Sequence, residues 1–541
     1  MDEMANRGGR LLALGAAAAL APLLAIGPSA VAASSSSDLG AAASSSAGLG
    51  AASSPSTNRD AASPTGSAQT SAVPAPRGRD LPVRGNELLV RPRGGALQRV
   101  TLRADADPVA VAAELRKNTA VIASAGANLI ATAAGVPTAL RGAAAQATTP
   151  TNLTPVQAPV TDDLPSAPAN LRGWIPNDHI GDVPWTELQW NFIGPFGIRA
   201  TEAWAELRTR PARSIAGRGV RVAVIDSGIA YRSRGDYRAS PDVDPERVLT
   251  GYDFVDEDRY PDDLSGHGTH VASLIAGATD NDAGLTGIAY NADILPVRVL
   301  DESDEGDVVS IARGIRYAVR RQADVINLSV DFPVSATAED IPEVMDAIDY
   351  ARREGVLVVA SSGNDGIGEV ALPARSSSVL SVGATTVNGC RSAFSNAGAA
   401  LDLVAPGGGI DHRSESGSRC RPGAIGPPIP QITLVRAGNP TLLGVPLNYV
   451  GTSMAAAHVT AIAAIVRASG VLGKDPSPGL LAAYLVRSTR DLGPKGRDAR
   501  YGAGLIDAAA AVNRRTGKAA VRGAKRAVAN ASRTRTALPV R

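Results

Sequence analysis

VAVIDSGIA, residues 222–230, is a continuous apolar run that stops on an acid and a Ser-Gly turn. A run apolar on both faces reads as an inner strand of a parallel sheet, with Asp226 at its mouth. Working outward, the pattern repeats. Apolar runs recur at 293–299, 324–329, 355–360 and 379–384, and helical periodicity at 267–277, 307–321, 339–353, 453–469 and 478–489. That alternation predicts an α/β fold of three layers, a mainly parallel sheet covered by helices on both faces. Ligands in such folds bind beyond the carboxyl ends of the strands, where Asp226 lies.

Two further segments carry chemistry. GHGTHVAS (266–273) and GTSMAAAHV (451–459) each run from a glycine turn into a helical pattern, one with His267 at the turn and the other with Ser453. A serine hydroxyl is a weak nucleophile unless a base lies within hydrogen-bonding reach. An imidazole does that work when a carboxylate holds its tautomer. Taken singly, each residue reads as well as a strand-end Asp, a helix-start His or a helix-capping Ser. Together, in the order Asp…His…Ser, the three segments resemble the active-site signatures of the subtilisin-like serine proteases (subtilases), thermitase-like branch.

The resemblance implies a subtilisin-like fold and a secreted serine endopeptidase that works through an acyl-enzyme. Its catalytic residues would be Asp226, His267 and Ser453. VLVVASSGNDG (356–366) resembles the family's oxyanion segment, which makes Asn364 the side-chain donor and the Ser453 N–H the second donor. Read without the family, Asn364 is an ordinary turn residue beside Gly363. Ser329, Val330, Asp331 and Gly363 would line the substrate cleft. The chain departs from the family at three places: Ala457 and Tyr290 stand where Pro is usual, and Asp331-Phe332 replaces Gly-Gly. The last change is expected to narrow the cleft wall and add a carboxylate favouring a basic side chain near the cleaved residue; a loop with Asp331 turned to solvent is the alternative.

Two acidic stretches suggest structural calcium, which takes hard oxygen ligands. In GYDFVDEDRYPDD, Asp253, Asp256 and Asp258 recur closely enough to meet on one cation. DNDAGLTGIA (280–289) resembles the family's strongest calcium loop, with Asn281 as a ligand and Asp242 and Asp178 as distant partners. The alternative for both is a solvated acidic turn. His270, three residues after His267, has no third ligand at metal spacing and reads as a packed helix residue. His458 matches a non-catalytic histidine of the family.

Composition bounds the rest. A net charge of +2 favours no nucleic-acid partner. Arg7 and Arg10, an apolar stretch from Leu11 to Ile26 and Ala30-Val31-Ala32 read as a secretion signal over 1–32, with an N-terminal membrane anchor as the alternative. Residues 33–82 are an Ala/Ser/Pro-rich linker. Residues 83–172, with strand patterns at 87–91 and 100–102 and a helix at 108–117, sit where subtilases carry a small α+β propeptide. Their Pro-rich end, 147–171, is the expected cleavage zone. The catalytic domain spans 173–515, with Trp190 and Trp204 anchoring its N-terminal arm, and 516–541 is a basic, disordered tail. Cys390 and Cys420, the only cysteines, read as one disulfide across a Gly/Ser/Pro-rich stretch or as two buried thiols. Partners would be protein or peptide substrates and the chain's own propeptide, with the mature enzyme a monomer free of membrane spans. A narrow processing protease, a transpeptidase and a non-catalytic binding module on the same fold are the competing readings.

Overall fold

A computed structural model describes residues 81–133, 171–211, 215–415, 419–513 and 521–526, all within the contact unit Pro76–Arg541. The signal, all but the last two residues of the linker and all but the last residue of the expected cleavage zone lie outside the described residues.

In chain order the elements that build the site are β1 (Val83–Pro92), β2 (Gln98–Thr101), α1 (Pro108–Arg116), β3 (Ile122–Ala133), α2 (Ala200–Arg208), β4 (Arg221–Asp226), β5 (Tyr252–Asp253), α3 (His267–Ala276), β6 (Asp293–Arg298), β7 (Glu305–Asp307), α4 (Val308–Arg320), β8 (Val325–Leu328), β9 (Val330–Asp331), α5 (Pro342–Arg353), β10 (Leu357–Ser361), β11 (Leu380–Thr385), β12 (Leu403–Pro406), α6 (Thr452–Ser469), α7 (Pro478–Arg487), β13 (Thr489–Arg490), β14 (Leu505–Ile506) and α8 (Ala508–Val512). The main sheet runs β13-β14-β12-β11-β10-β8-β4-β6-β5. All its pairs are parallel except β13 with β14. The five apolar runs read from sequence are its five central strands, and β12 is the inner strand that the reading missed.

Strand alternation divides the core. Val222 and Val224 face the layer of α2, α3, α6, α7 and α8, whereas Ala223 and Ile225 face α4 and α5. Both layers are dry, so a strand between them tolerates apolar residues at every position, which is why β4 reads as an unbroken run. Local signals set the helix starts. Asp307 accepts the Ser310 N–H at 2.8 Å to cap α4, and Ser477 does the same for α7, followed by Pro478. Each such cap stabilises by about 1 kcal/mol.

The arm is anchored by more aromatics than expected. Trp185 and Phe192 join Trp204 in one edge-to-face cluster, with ring centroids 5.9–6.1 Å apart. Each such ring buries roughly 150–250 Å² and satisfies its quadrupole in these geometries. Trp190 is buried separately and donates to the Pro428 carbonyl at 2.8 Å. Tyr290, at the unusual position, packs on Trp174 and Trp204.

Among the described residues of the N-terminal segment, 83–133 form β1, β2, α1 and β3, with β3 unforeseen. β3 is rich in Ala, Ser and Gly, so neither propensity nor alternation marks it. It pairs antiparallel with β1 and, at its far end, with both β7 and β9. Among the described residues, five ion pairs hold this segment to the rest: Arg84 with Asp301 and Asp307, Arg91 with Glu343 and Asp346, and Arg116 with Asp340. In each, the segment supplies the arginine.

Two expectations need correction. Residues 521–526, placed in a disordered tail, are helical, with Ala524 fully buried in the main core. Phe332 does not narrow a cleft wall; it is fully buried in the core beside α4 and α5, with its N–H on the Leu372 carbonyl. Cys390 and Cys420 are disulfide-bonded. No helix among the described residues is long and apolar enough to cross a membrane.

Candidate active site

β4 delivers Asp226 to the carboxyl edge of the sheet, and α3 starts beside it. The approach is close: a Cβ on Gly268 would lie 2.1 Å from the Gly228 carbonyl, so the first turn of α3 rests on the loop after β4 only because that position is glycine. His267 is thereby held with Nδ1 2.7 Å from Asp226 Oδ1, both side chains being buried. Asp226 Oδ1 also accepts the Ser227 N–H at 2.8 Å. This arrangement puts the proton on Nδ1 and leaves Nε2 as the basic nitrogen.

A residue that the sequence reading passed over sets this turn. Asp263 is buried and accepts from Ser227 Oγ (2.9 Å), from the N–H groups of Ser265 (3.0 Å), Gly266 (2.9 Å) and Thr269 (2.9 Å), and from Thr269 Oγ1 (2.5 Å). It ties the loop after Asp226 to the loop before His267. Burial still pushes its carboxyl above the usual range. The N-cap of α3 is Gly266, so Asp263 lies ahead of the capping position and no helix-start signal marked it in the sequence.

Ser453 lies in the first turn of α6, where N–H groups are unsatisfied and the helix dipole is positive. Its hydroxyl points at the Ser329 carbonyl, 3.4 Å away. His267 Nε2 is buried and accepts no hydrogen bond. The serine–histidine link is therefore not made in this conformation, although the helices that carry the two residues, α3 and α6, pack together. Catalytic hydrogen bonds of this kind commonly tighten only with substrate bound.

Asn364 follows β10. Its Oδ1 accepts both the N–H (3.0 Å) and Oγ1–H (2.9 Å) of Thr452, immediately before Ser453. That fixes the polarity of the amide, oxygen toward the helix start and the Nδ2 donor away from it. Thr452, read from the sequence only as part of the turn into this helix, is the part that orients it. Val330 and Asp331 form β9 beside Ser329, and Gly363 precedes Asn364 with φ 101°.

Burial drives His267 down, but the charge and hydrogen bond of Asp226, with Asp304 and Asp263 behind it, lift it to about 9. Asp304, also unread, is lifted by burial to about 6 against the pull of His267. His270 and His458 are held neutral by burial, at about 3 and about 4. His270 stacks on Tyr449 and bonds the Ile429 carbonyl at 2.8 Å, as a packed residue should.

The two acidic stretches differ. Asp253 and Asp256 do converge, but on Arg298, whose Nη1 lies 2.7 and 2.6 Å from them; Asp258 instead accepts the Tyr260 N–H. The guanidinium stands where a metal was expected. In the second stretch, Asp178 accepts the N–H groups of Asp280 and Asn281, and Asp242 Oδ2 that of Leu285. Asp242 Oδ1 is buried with no donor, against Gly284, where a Cβ would come within 1.8 Å. One end of the Asn281 amide lies 2.8 Å from Asp178 Oδ1 and 2.9 Å from the Ala283 carbonyl. Two buried carboxylates, an amide and a carbonyl, with one oxygen orphaned, are a donor set that fits a hard cation. No three His, Cys, Asp or Glu side chains cluster as a metal site among the described residues.

The subtilase family profile matches residues 217–504. Subtilisin Savinase of Lederbergia lenta is 36% identical over 320 residues, 59% of this chain and 98% of that protein. Thermitase of Thermoactinomyces vulgaris is 36% identical over 217 residues, 40% of this chain and 70% of that protein. The solved structure of proteases from Pseudoalteromonas arctica aligns with a TM-score of 0.50 at 28% identity, covering 64% of this chain and 100% of that chain.

Proposed function

The chain belongs to the subtilase family and is a subtilisin-type serine endopeptidase, and on that premise we propose that Ser453 is its nucleophile, His267 its general base and Asp226 the group that holds the imidazole. The observation that carries this reading is the 2.7 Å contact between His267 Nδ1 and Asp226 Oδ1, buried at the sheet edge where α6 begins. Rotation of the Ser453 hydroxyl from the Ser329 carbonyl to Nε2 completes the relay. His267 takes the hydroxyl proton as Oγ attacks the peptide carbonyl, then returns it to the leaving amine, and water releases the acyl group by the same steps. The Ser453 N–H and Asn364 Nδ2 stabilise the oxyanion.

Residues 83–172 are the prosegment of a secreted zymogen, and their described part, 83–133, is inhibitory. Support comes from β3, which lies between β7 and β9 as a peptide strand beside Ser329. Asp331, in that ladder opposite Thr132, flanks the cleft on the unprimed side. Asp178, Asp242, Asn281 and the Ala283 carbonyl would hold a structural calcium ion, which would supply positive charge to a buried carboxylate pair and no chemistry to the reaction. Substrates are proteins and peptides in extended form.

Expression of wild type and Ser453→Ala, with mass mapping of N-termini and a casein assay, tests the reading. Wild type should shed its N-terminal region upstream of about Asn177 and degrade casein. A variant that matures alone or keeps the activity overturns it.

A further inference from the structure

The loop from Asp301 to Asp307 borders the cleft and carries five carboxylates in seven residues. Asp301 and Asp307 are paired with Arg84 of β1, at 3.5 and 3.7 Å. Asp304 is different. Among the described residues it has no arginine or lysine partner. Its Oδ1 accepts from Ser265 Oγ, and that oxygen accepts the His267 N–H at 3.2 Å, so the carboxylate is tied to the start of α3. Asp304 also holds a left-handed backbone, φ 63°, which glycine adopts at no cost.

β3 shows where a peptide runs. Ala133 pairs with Val330 and donates its N–H to the Asp304 carbonyl at 2.9 Å. The next rung is Ser329, whose carbonyl is 3.4 Å from Ser453 Oγ. A substrate in this register has its cleaved residue opposite Ser329. The residue before it stands in the place of Ala133, with its backbone on Asp304.

We propose that Asp304 selects a basic side chain at the substrate residue immediately preceding the cleaved one. The assignment rests on the site reading above and adds the substrate class to it. Asp226 and Asp263 add their negative charge to that of Asp304 at the same spot. An arginine or lysine there relieves the crowding and forms a charge-assisted hydrogen bond in a partly dry setting, whereas an acidic side chain meets repulsion. Departure of the N-terminal segment removes Arg84 as well, which bares Asp301 and Asp307 on the same edge.

The test uses three peptides that share one cleaved residue and carry Arg, Ala or Glu before it. They are hydrolysed by the full chain after maturation and by Asp304→Asn and Asp304→Lys. Wild type should prefer Arg over Ala by about tenfold in kcat/KM, the ratio set by one modest charge pair. Asp304→Asn should bring that ratio near one, and Asp304→Lys should shift preference to Glu. Ratios within one preparation cancel differences in folded yield. A wild-type ratio at or below one, or a ratio unmoved in both variants, overturns the assignment. Wild type that cleaves none of the three overturns the site reading, and this assignment with it.

Discussion

Ala133 donates its backbone N–H to the carbonyl of Asp304 at 2.9 Å, so the N-terminal segment ends its last strand one rung short of Ser329. A substrate cannot use that ladder while β3 holds it. The polarised ion pairs around Arg84, Arg91 and Arg116 make the hold partly electrostatic. Residues 81–133 added in trans to the mature enzyme should therefore inhibit it, and less strongly at 1 M salt, where the Debye length falls to about 3 Å. Progress curves at two salt concentrations check this. Equal inhibition at both would show that the ion pairs contribute nothing and that the β3 ladder and apolar contact hold the segment.

Asn364 is held by Thr452, and its donor end is the part proposed to meet the oxyanion. Asn364→Ala should lower kcat by about 10²–10³-fold with little change in KM, a magnitude carried over from subtilisin itself rather than read from this geometry. Thr452→Val removes the hydroxyl that orients the amide and should produce a smaller loss of the same kind. Steady-state kinetics on a peptide anilide distinguish the two. A large rise in KM for either variant would mean a role in binding instead.

The buried pair Asp178 and Asp242 predicts a crossover in stability. Burial raises both carboxyls above the usual range, Asp242 well above it. The unfolded chain ionises first as pH rises, so without metal the ionised pair costs stability at neutral pH and the cost fades on acidification. Asp242→Asn should therefore melt higher than wild type in chelator and lower than wild type in calcium. At calcium one hundred times its dissociation constant the wild type gains about 2.7 kcal/mol. Thermal melts at pH 7 with and without calcium measure this. A variant that melts lower in both conditions contradicts the site.

His267 must be neutral to accept a proton. Asp226, with Asp304 and Asp263 behind it, outweighs burial and lifts it to about 9. Below that pH the imidazolium predominates and the base is lost, so kcat/KM should climb with pH and level off above about 9. Replacing Asp263 by Asn should move the limb downward. A wild-type limb at the ordinary histidine pH of about 6.5 would be the contrary result.

Sequence legibility followed burial. The five central strands and five helices were readable because a doubly covered sheet writes continuous apolar runs between amphipathic helices. Asp226, His267, Ser453 and Asn364 were singled out because their segments together resemble the subtilase signatures; read one at a time, each is an ordinary strand-end, helix-start or turn residue. β3 was not, since its Ala and Ser residues gain a partner only from β1, β7 and β9. Arg298 was also missed: a cation that satisfies Asp253 and Asp256 lies 45 and 42 residues downstream of them in β6, and local acidic spacing carries no trace of it. Asp304 was overlooked for the same reason, because its meaning depends on Ser265 and on Ala133 of β3, 171 residues upstream.

The central claim is that Ser453 is activated by His267. Matured enzyme treated with a fluorophosphonate and mapped by peptide mass measures it directly. One adduct is expected, on Ser453, formed at a rate that falls by at least about 10³-fold in His267→Ala. An adduct on another residue, or labelling of Ser453 at an undiminished rate in that variant, would contradict it.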